Sequence, residues 1–334
     1  YWRITLMKMT LPALAVCTLM AAPAFSADHQ GTDIDLSPWK ITIPDSQVEF
    51  YGKGRANSAA ELLPPQCNDS RQVLTEDSKV VGTNNDVTYF EVIDGRAHFR
   101  ADMGAGVTTE NSKYIRSELR ELFNVDTEKR NPCSTSSNDT SWFVNDNATN
   151  TSLHTLASTL RIDAHPDRAV TNEMPKVIVG QVHGYKIKQA LVKLQWEGGD
   201  KPVRAVINQD FFLDNKSCNS ELAKSTGCDK WSFSVNLGQY DKGEEWSYDI
   251  TMDDQAIYLM TSKADGSEKV ERTLEWGSTF EERSGREVTL SQNWTNADVA
   301  YYFKAGIYPQ FRPNAKFAGE VFDVSFSEIE LTHK

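Results

Sequence analysis

No apolar run in this sequence reaches the roughly 20 residues needed to cross a bilayer as a helix. The longest, Leu11 to Met20, is far shorter. Cysteine and histidine are scarce: none of the five cysteines forms a CxxC pair, and the six histidines form no HExxH, so no common zinc spacing is present. Positive charge is also short. Lys and Arg total 35 against 47 Asp and Glu, a formal net charge of −12 that argues against nucleic acid, which wants a basic stripe. A local field in a cleft can still oppose the net charge, so an anionic polymer remains an admissible partner. A monomer with no cofactor, no metal and no membrane partner is expected.

What is present begins with a leader. Met7-Lys-Met-Thr, the apolar run and the small residues Ala21-Ala-Pro-Ala-Phe-Ser-Ala27 describe a secretory signal, expected over 1–26, with one domain over 27–334 and a secreted or periplasmic location. Export would leave Cys67, Cys133, Cys218 and Cys228, an even number in an oxidising setting. Cys218 and Cys228 close a short polar loop and are expected to pair, leaving Cys67 with Cys133. Zinc is the weaker alternative.

Short alternating segments separated by Gly, Asn and Asp clusters dominate the rest. They are Val87–Val92, Ala97–Ala101, Leu156–Ile162, Val177–Val182, Ala190–Trp196, Val203–Ile207, Trp231–Leu237, Trp246–Met252, Ala256–Thr261, Val299–Tyr308 and Val321–Leu331. An opening strand is expected within Ile34–Pro44, single helical turns at Ser58–Leu63 and Ser220–Lys224, and irregular stretches at Asp126–Thr151 and Ser262–Asp298. This pattern predicts an all-β antiparallel sandwich or barrel.

Three segments stand apart: Lys113-Tyr-Ile-Arg-Ser-Glu-Leu-Arg120, Val177-Ile-Val-Gly-Gln-Val-His-Gly184 and Tyr301-Tyr-Phe-Lys-Ala-Gly-Ile-Tyr-Pro-Gln310. Strand side chains two apart share a face. Arg116, Glu118 and Arg120 therefore fall together, as do Gln181 and His183, and Tyr302, Lys304, Tyr308 and Gln310. Ile115, Leu119, Ile178, Val182, Phe303 and Ile307 are expected on the apolar faces behind them. Each segment alone reads as an ordinary surface ladder. Three of them in one β chain suggest a single polar sheet face.

That set has a chemistry. An Arg fork and a Gln amide can neutralise the carboxylate of a uronate sugar. Without such neutralisation the proton at C5, beside the carboxylate, is too weakly acidic to remove. His183 and Tyr308 could then take that proton and protonate the departing glycosidic oxygen. The outcome is β-elimination.

RSELRE at 116–121, QVH at 181–183 and YFKAGIYPQ at 302–310 resemble the signature segments of alginate lyases of polysaccharide lyase family 7. LSPWKITIP at 36–44 and VFDVSFSEIELTH at 321–333 resemble that family's opening and closing strands. The resemblance implies a β-jelly roll of two antiparallel sheets with a concave substrate groove. It also implies catalytic roles for Arg116, Gln181, His183 and Tyr308, with Glu118, Arg120, Lys304, Gln310 and Tyr302 lining the groove. The valine of QVH implies a preference for mannuronate-rich alginate. Two alternatives stay open: a jelly-roll glycoside hydrolase, which needs two facing carboxyl groups, and a non-catalytic polysaccharide-binding module.

Overall fold

The computed structural model describes residues 34–67, 73–83, 85–110, 112–123, 133–211, 232–282 and 284–334. The expected leader, the Cys218–Cys228 pair and the turn at Ser220–Lys224 lie outside them. Strands are numbered β1 to β19 in chain order. One antiparallel sheet runs β12 (Ser232–Gln239), β11 (Pro202–Asn208), β10 (Val192–Trp196), β9 (Val177–Gly184), β18 (Ala300–Pro309), β6 (Ser117–Glu121), β1 (Trp39–Ser46) and β2 (Ala59–Leu62). The short β7 (Trp142–Phe143) also pairs with β18.

The second sheet runs β15 (Val270–Glu275), β14 (Ala256–Lys263), β13 (Glu245–Met252), β8 (His154–Ala164), β19 (Val321–His333), β5 (Arg96–Asp102), β4 (Thr88–Ile93) and β3 (Lys79–Val81). The strands β16 (Thr279–Glu281) and β17 (Glu287–Thr289) form a separate hairpin.

Alternation produces this architecture. Ile41, Leu119, Val182, Leu194, Phe303 and Ile307 from the first sheet share one core cluster with Phe99, Leu160, Ile250 and Phe326 from the second. Each such side chain contributes about 1.5–3 kcal/mol when fully buried. Facing inward, they leave the intervening polar residues on the outer face of the first sheet.

Three local expectations need correction. The segment around Ser58–Leu63 is not a helical turn but contains β2, whose Ala60 and Leu62 enter the core. The stretch Ser262–Asp298 is not irregular throughout, since β15, β16 and β17 lie in it. Ile178 does not share the core with Val182. The register slips on β9 between Gly180 and Ile178, so Val177 and Val179 join the core while Ile178 pairs with Tyr308. Gly180 borders the slip and makes room for Tyr248, because a Cβ there would meet the Tyr248 hydroxyl at 2.6 Å. That hydroxyl donates to Val179 O at 3.1 Å.

The Cys67–Cys133 disulfide is present and closes a sequence separation of 66 residues. It tethers the segment after Cys133, whose Thr140 reaches the first sheet through Arg120.

Candidate active site

β6, β18 and β9 are neighbours in the first sheet, so the three chemistry-bearing segments become adjacent strands. Their register is direct. Arg120 pairs with Lys304, Lys304 with Gln181, and Tyr302 with His183. On the flanks Lys40 pairs with Arg120, and Lys193 with Gln181. One row of polar, mostly cationic side chains therefore crosses β1, β6, β18, β9 and β10. Like charges set directly opposite each other destabilise a sheet, so such a row needs anions to balance it.

Glu118 supplies one. It is 2% exposed and accepts from Arg116 Nη1 at 2.8 Å, from Lys304 Nζ and from Gln181 Nε2. Burial pushes its carboxyl up, but the Lys304 and Arg116 charges and the hydrogen bonds prevail and hold it below the ordinary carboxylate range. Burial, with Arg116 close by, pulls the Lys304 ammonium down to about 7 against the attraction of Glu118. Gly306, opposite Glu118 on β18, has φ +116°. A Cβ there would meet Ser117 O at 2.7 Å, so glycine lets the two strands close around the carboxylate.

His183 Nδ1 lies 2.9 Å from Gly184 O, a contact that requires the proton on Nδ1 and leaves Nε2 with a lone pair. Burial, then the Lys304 and Arg116 charges, pull this imidazole down to about 3, so it is neutral near pH 7. Its ring stacks on Tyr302 at 5.3 Å between centroids and 8° between planes. The Arg120 guanidinium lies 4.1 Å from the Tyr302 ring centroid.

Tyr308 is held from two sides. The Arg116 guanidinium sits 4.1 Å over its ring, and its hydroxyl lies 2.9 Å from Ser112 Oγ. Since Ser112 Oγ donates to Tyr114 O at 2.9 Å, it accepts from the phenol, which is then the protonated form.

The structure thus joins Arg116, Glu118, Lys304 and Gln181 through one carboxylate, and places Tyr308 against Arg116 and His183 against Tyr302. Gln310 stands apart. Its amide donates back to Tyr308 O at 3.0 Å and Pro309 O at 3.2 Å. Sequence reasoning passed over Ser112, Lys40 and Lys193. The alternation of Lys40 with Ile41 and of Lys193 with Leu194 was available as a signal, but single cations on strands are commonplace.

Among the described residues, His98, Asp163 and Asp323 approach one another closely enough to hold a metal, on the outer face of the second sheet. Asp323 already pairs with Arg100 at 2.7 Å and Asp163 with Arg161 at 2.5 Å. Two guanidiniums against two carboxylates leave no net negative charge to attract a cation.

The fold is similar to that of an alginate lyase from Klebsiella pneumoniae, at 18% identity and a TM-score of 0.60, covering 91% of this chain and 99% of that one. It is also similar to the exolytic family 7 alginate lyase AlyA5 from Zobellia galactanivorans, at 16% identity and a TM-score of 0.56, covering 89% and 95%. A third similar structure is alginate lyase A1-II', a member of polysaccharide lyase family 7, at 20% identity and a TM-score of 0.54, covering 90% and 96%. Among proteins of curated function, none matches this sequence. The family described as Alginate lyase matches residues 34–333. With nearly its whole length matched, the chain belongs to the alginate lyase family.

Proposed function

We propose that this polysaccharide lyase cleaves alginate by β-elimination on the outer face of the first sheet, with Arg116, Gln181, His183 and Tyr308 as the catalytic residues. One observation carries the reading. Arg116 and Lys304 both donate to the single carboxylate of Glu118, beside a neutral imidazole and a protonated phenol. With Lys304 protonated, the surplus positive charge matches one sugar carboxylate, and that carboxylate in turn favours the protonated amine. Arg116, Gln181 and Lys304 stabilise the negative charge that grows on that carboxylate as the C5 proton leaves.

His183 Nε2 accepts the C5 proton, the C4–O4 bond breaks, and a C4–C5 double bond forms. Tyr308 donates its phenolic proton to the departing oxygen. No water is consumed. In guluronate the C5 proton and the leaving oxygen lie on opposite sides of the ring, which suits a separate base and acid. In mannuronate they share a side, and Tyr308 can serve both roles only as the phenolate, which takes the C5 proton and passes it to the departing oxygen. The QVH valine fits the mannuronate-preferring form implied by the family resemblance.

A hydrolase reading is disfavoured by Glu118: a carboxyl held ionised by two cations and an amide has no proton to give. A binding module has no use for a buried neutral imidazole on its ligand face. The Cys67–Cys133 disulfide supports export to an oxidising compartment.

The test is digestion of alginate with continuous ultraviolet absorbance. Depolymerisation should generate the chromophore of the conjugated double bond in step with new chain ends. New reducing ends without that chromophore would overturn the reading in favour of hydrolysis.

A further inference from the structure

Arg120 and Tyr302 point toward the substrate face by strand alternation, yet their contacts are with the protein. Arg120 is 6% exposed. Its Nη1 donates to Glu121 O at 3.0 Å and to Thr140 Oγ1 at 2.9 Å. Thr140 Oγ1 in turn donates to Ser134 O at 3.0 Å, one residue beyond the disulfide-tethered Cys133. This fixed guanidinium lies against the Tyr302 ring, and that ring lies nearly parallel to the His183 imidazole. Tyr302 and His183 are also direct cross-strand partners, so the strand register and the ring stack fix the same pair.

An imidazole base has two ways to lose its aim: rotation of the ring about its bond to Cβ and swing of the whole side chain. The Nδ1–H bond to Gly184 O sets the tautomer and one edge of the ring. It does not fix the tilt of the ring plane about that bond. A parallel aromatic face does, and an aromatic clamped by a cation resists following the imidazole as it moves.

We propose that Tyr302 is a positioning residue that holds the His183 ring plane by stacking, with Arg120 as its support. This rests on the reading of His183 as the C5 base. Arg120 also hydrogen-bonds the Tyr302 hydroxyl, but the stacking on His183 is made by the ring, which Phe retains.

The test is a double-mutant cycle on separate guluronate and mannuronate blocks, using Tyr302→Phe, Tyr302→Leu, His183→Ala and the double variant His183→Ala/Tyr302→Leu. Tyr302→Phe should stay within about 2-fold of the parent on both blocks, since the ring remains. Tyr302→Leu should lower kcat on guluronate blocks about 10- to 100-fold, as expected for a misplaced base, with KM little changed and a smaller loss on mannuronate. In the His183→Ala background the same change should add almost nothing. The His183 ring proton resonances should also move in Tyr302→Leu and hold in Tyr302→Phe, a readout independent of turnover.

Equal losses on both blocks, a loss confined to KM, full additivity with His183→Ala, or a Phe variant as damaged as the Leu variant would each overturn the positioning role. If His183→Ala spares guluronate cleavage, the assignment of the base fails instead, whatever Tyr302 does.

Discussion

The outer faces of the two sheets carry similar side chains and use them differently. On the second sheet the arginines of the central strands are matched by carboxylates. Arg100 bonds Asp323 at 2.7 Å and Glu91 at 2.6 Å, Arg161 bonds Asp163 at 2.5 Å, and Arg96 reaches Glu245. On the first sheet Lys40 pairs with Glu61 at 2.6 Å, but Arg116 and Lys304 share the single carboxylate of Glu118, and Lys40, Arg120 and Lys304 stand directly opposite one another. Both faces arise from the same alternation of apolar and charged residues. The balanced face is a structural ladder. The unbalanced one needs a visiting anion to complete it. Charge imbalance under burial, rather than charge density, separates the site from its mirror on the other side of the core.

The sharpest way to break this comparison is Tyr308→Phe, which should cut kcat by about 10²- to 10⁴-fold while alginate oligomers still bind. Kinetics together with equilibrium binding would show it, and substantial residual turnover would remove Tyr308 from the chemistry. Glu118→Gln comes next. Deleting the buried anion strands Arg116 and Lys304, so stability should fall by about 3–5 kcal/mol in denaturant unfolding, with kcat/KM lowered too.

Acid should act through the histidines. His154 and His183 are each pulled from 6.5 down to about 3, burial being the largest cause. Below about pH 6.5 the unfolded chain takes up protons that the folded chain refuses until about 3, so stability should fall as pH drops through that window. Unfolding free energies that stay flat between pH 6.5 and 4.5, above most carboxylate titration, would contradict it. Last, Asp323→Asn on the balanced face should cost about 1.5–3 kcal/mol of stability and leave kcat/KM unchanged. An activity loss there, in folded protein, would show that the second face is coupled to catalysis.

Much of the site was legible because its residues sit in short strands whose parity fixes their face. Arg116, Glu118, Gln181, His183 and Lys304 needed only the rule of two. Ile178 was misread for the same reason: parity assumes an unbroken ladder, and the pairing of β9 slips between Gly180 and Ile178. β2 was misread because Ala59-Ala-Glu-Leu62 has strong helix formers that pairing with β1 overrides. β15 escaped notice because an edge strand with most of its side chains exposed has no apolar alternation to detect. Lys40 and Lys193 were missed because a single cation gains meaning only from its neighbours across the strands.

The order of residues along the chain by itself narrowed the fold to an antiparallel sandwich or barrel, set the face of most strand side chains, and offered a set of polar groups with the chemistry for elimination on a sugar acid. Only the tertiary structure decided that Glu118 is a buried anchor with three donors, that Arg120 and Tyr302 back the imidazole, and that Ser112 meets the phenol. The reason is geometric. Parity is a property of one strand, whereas a carboxylate's partners are set by the register between strands far apart in sequence.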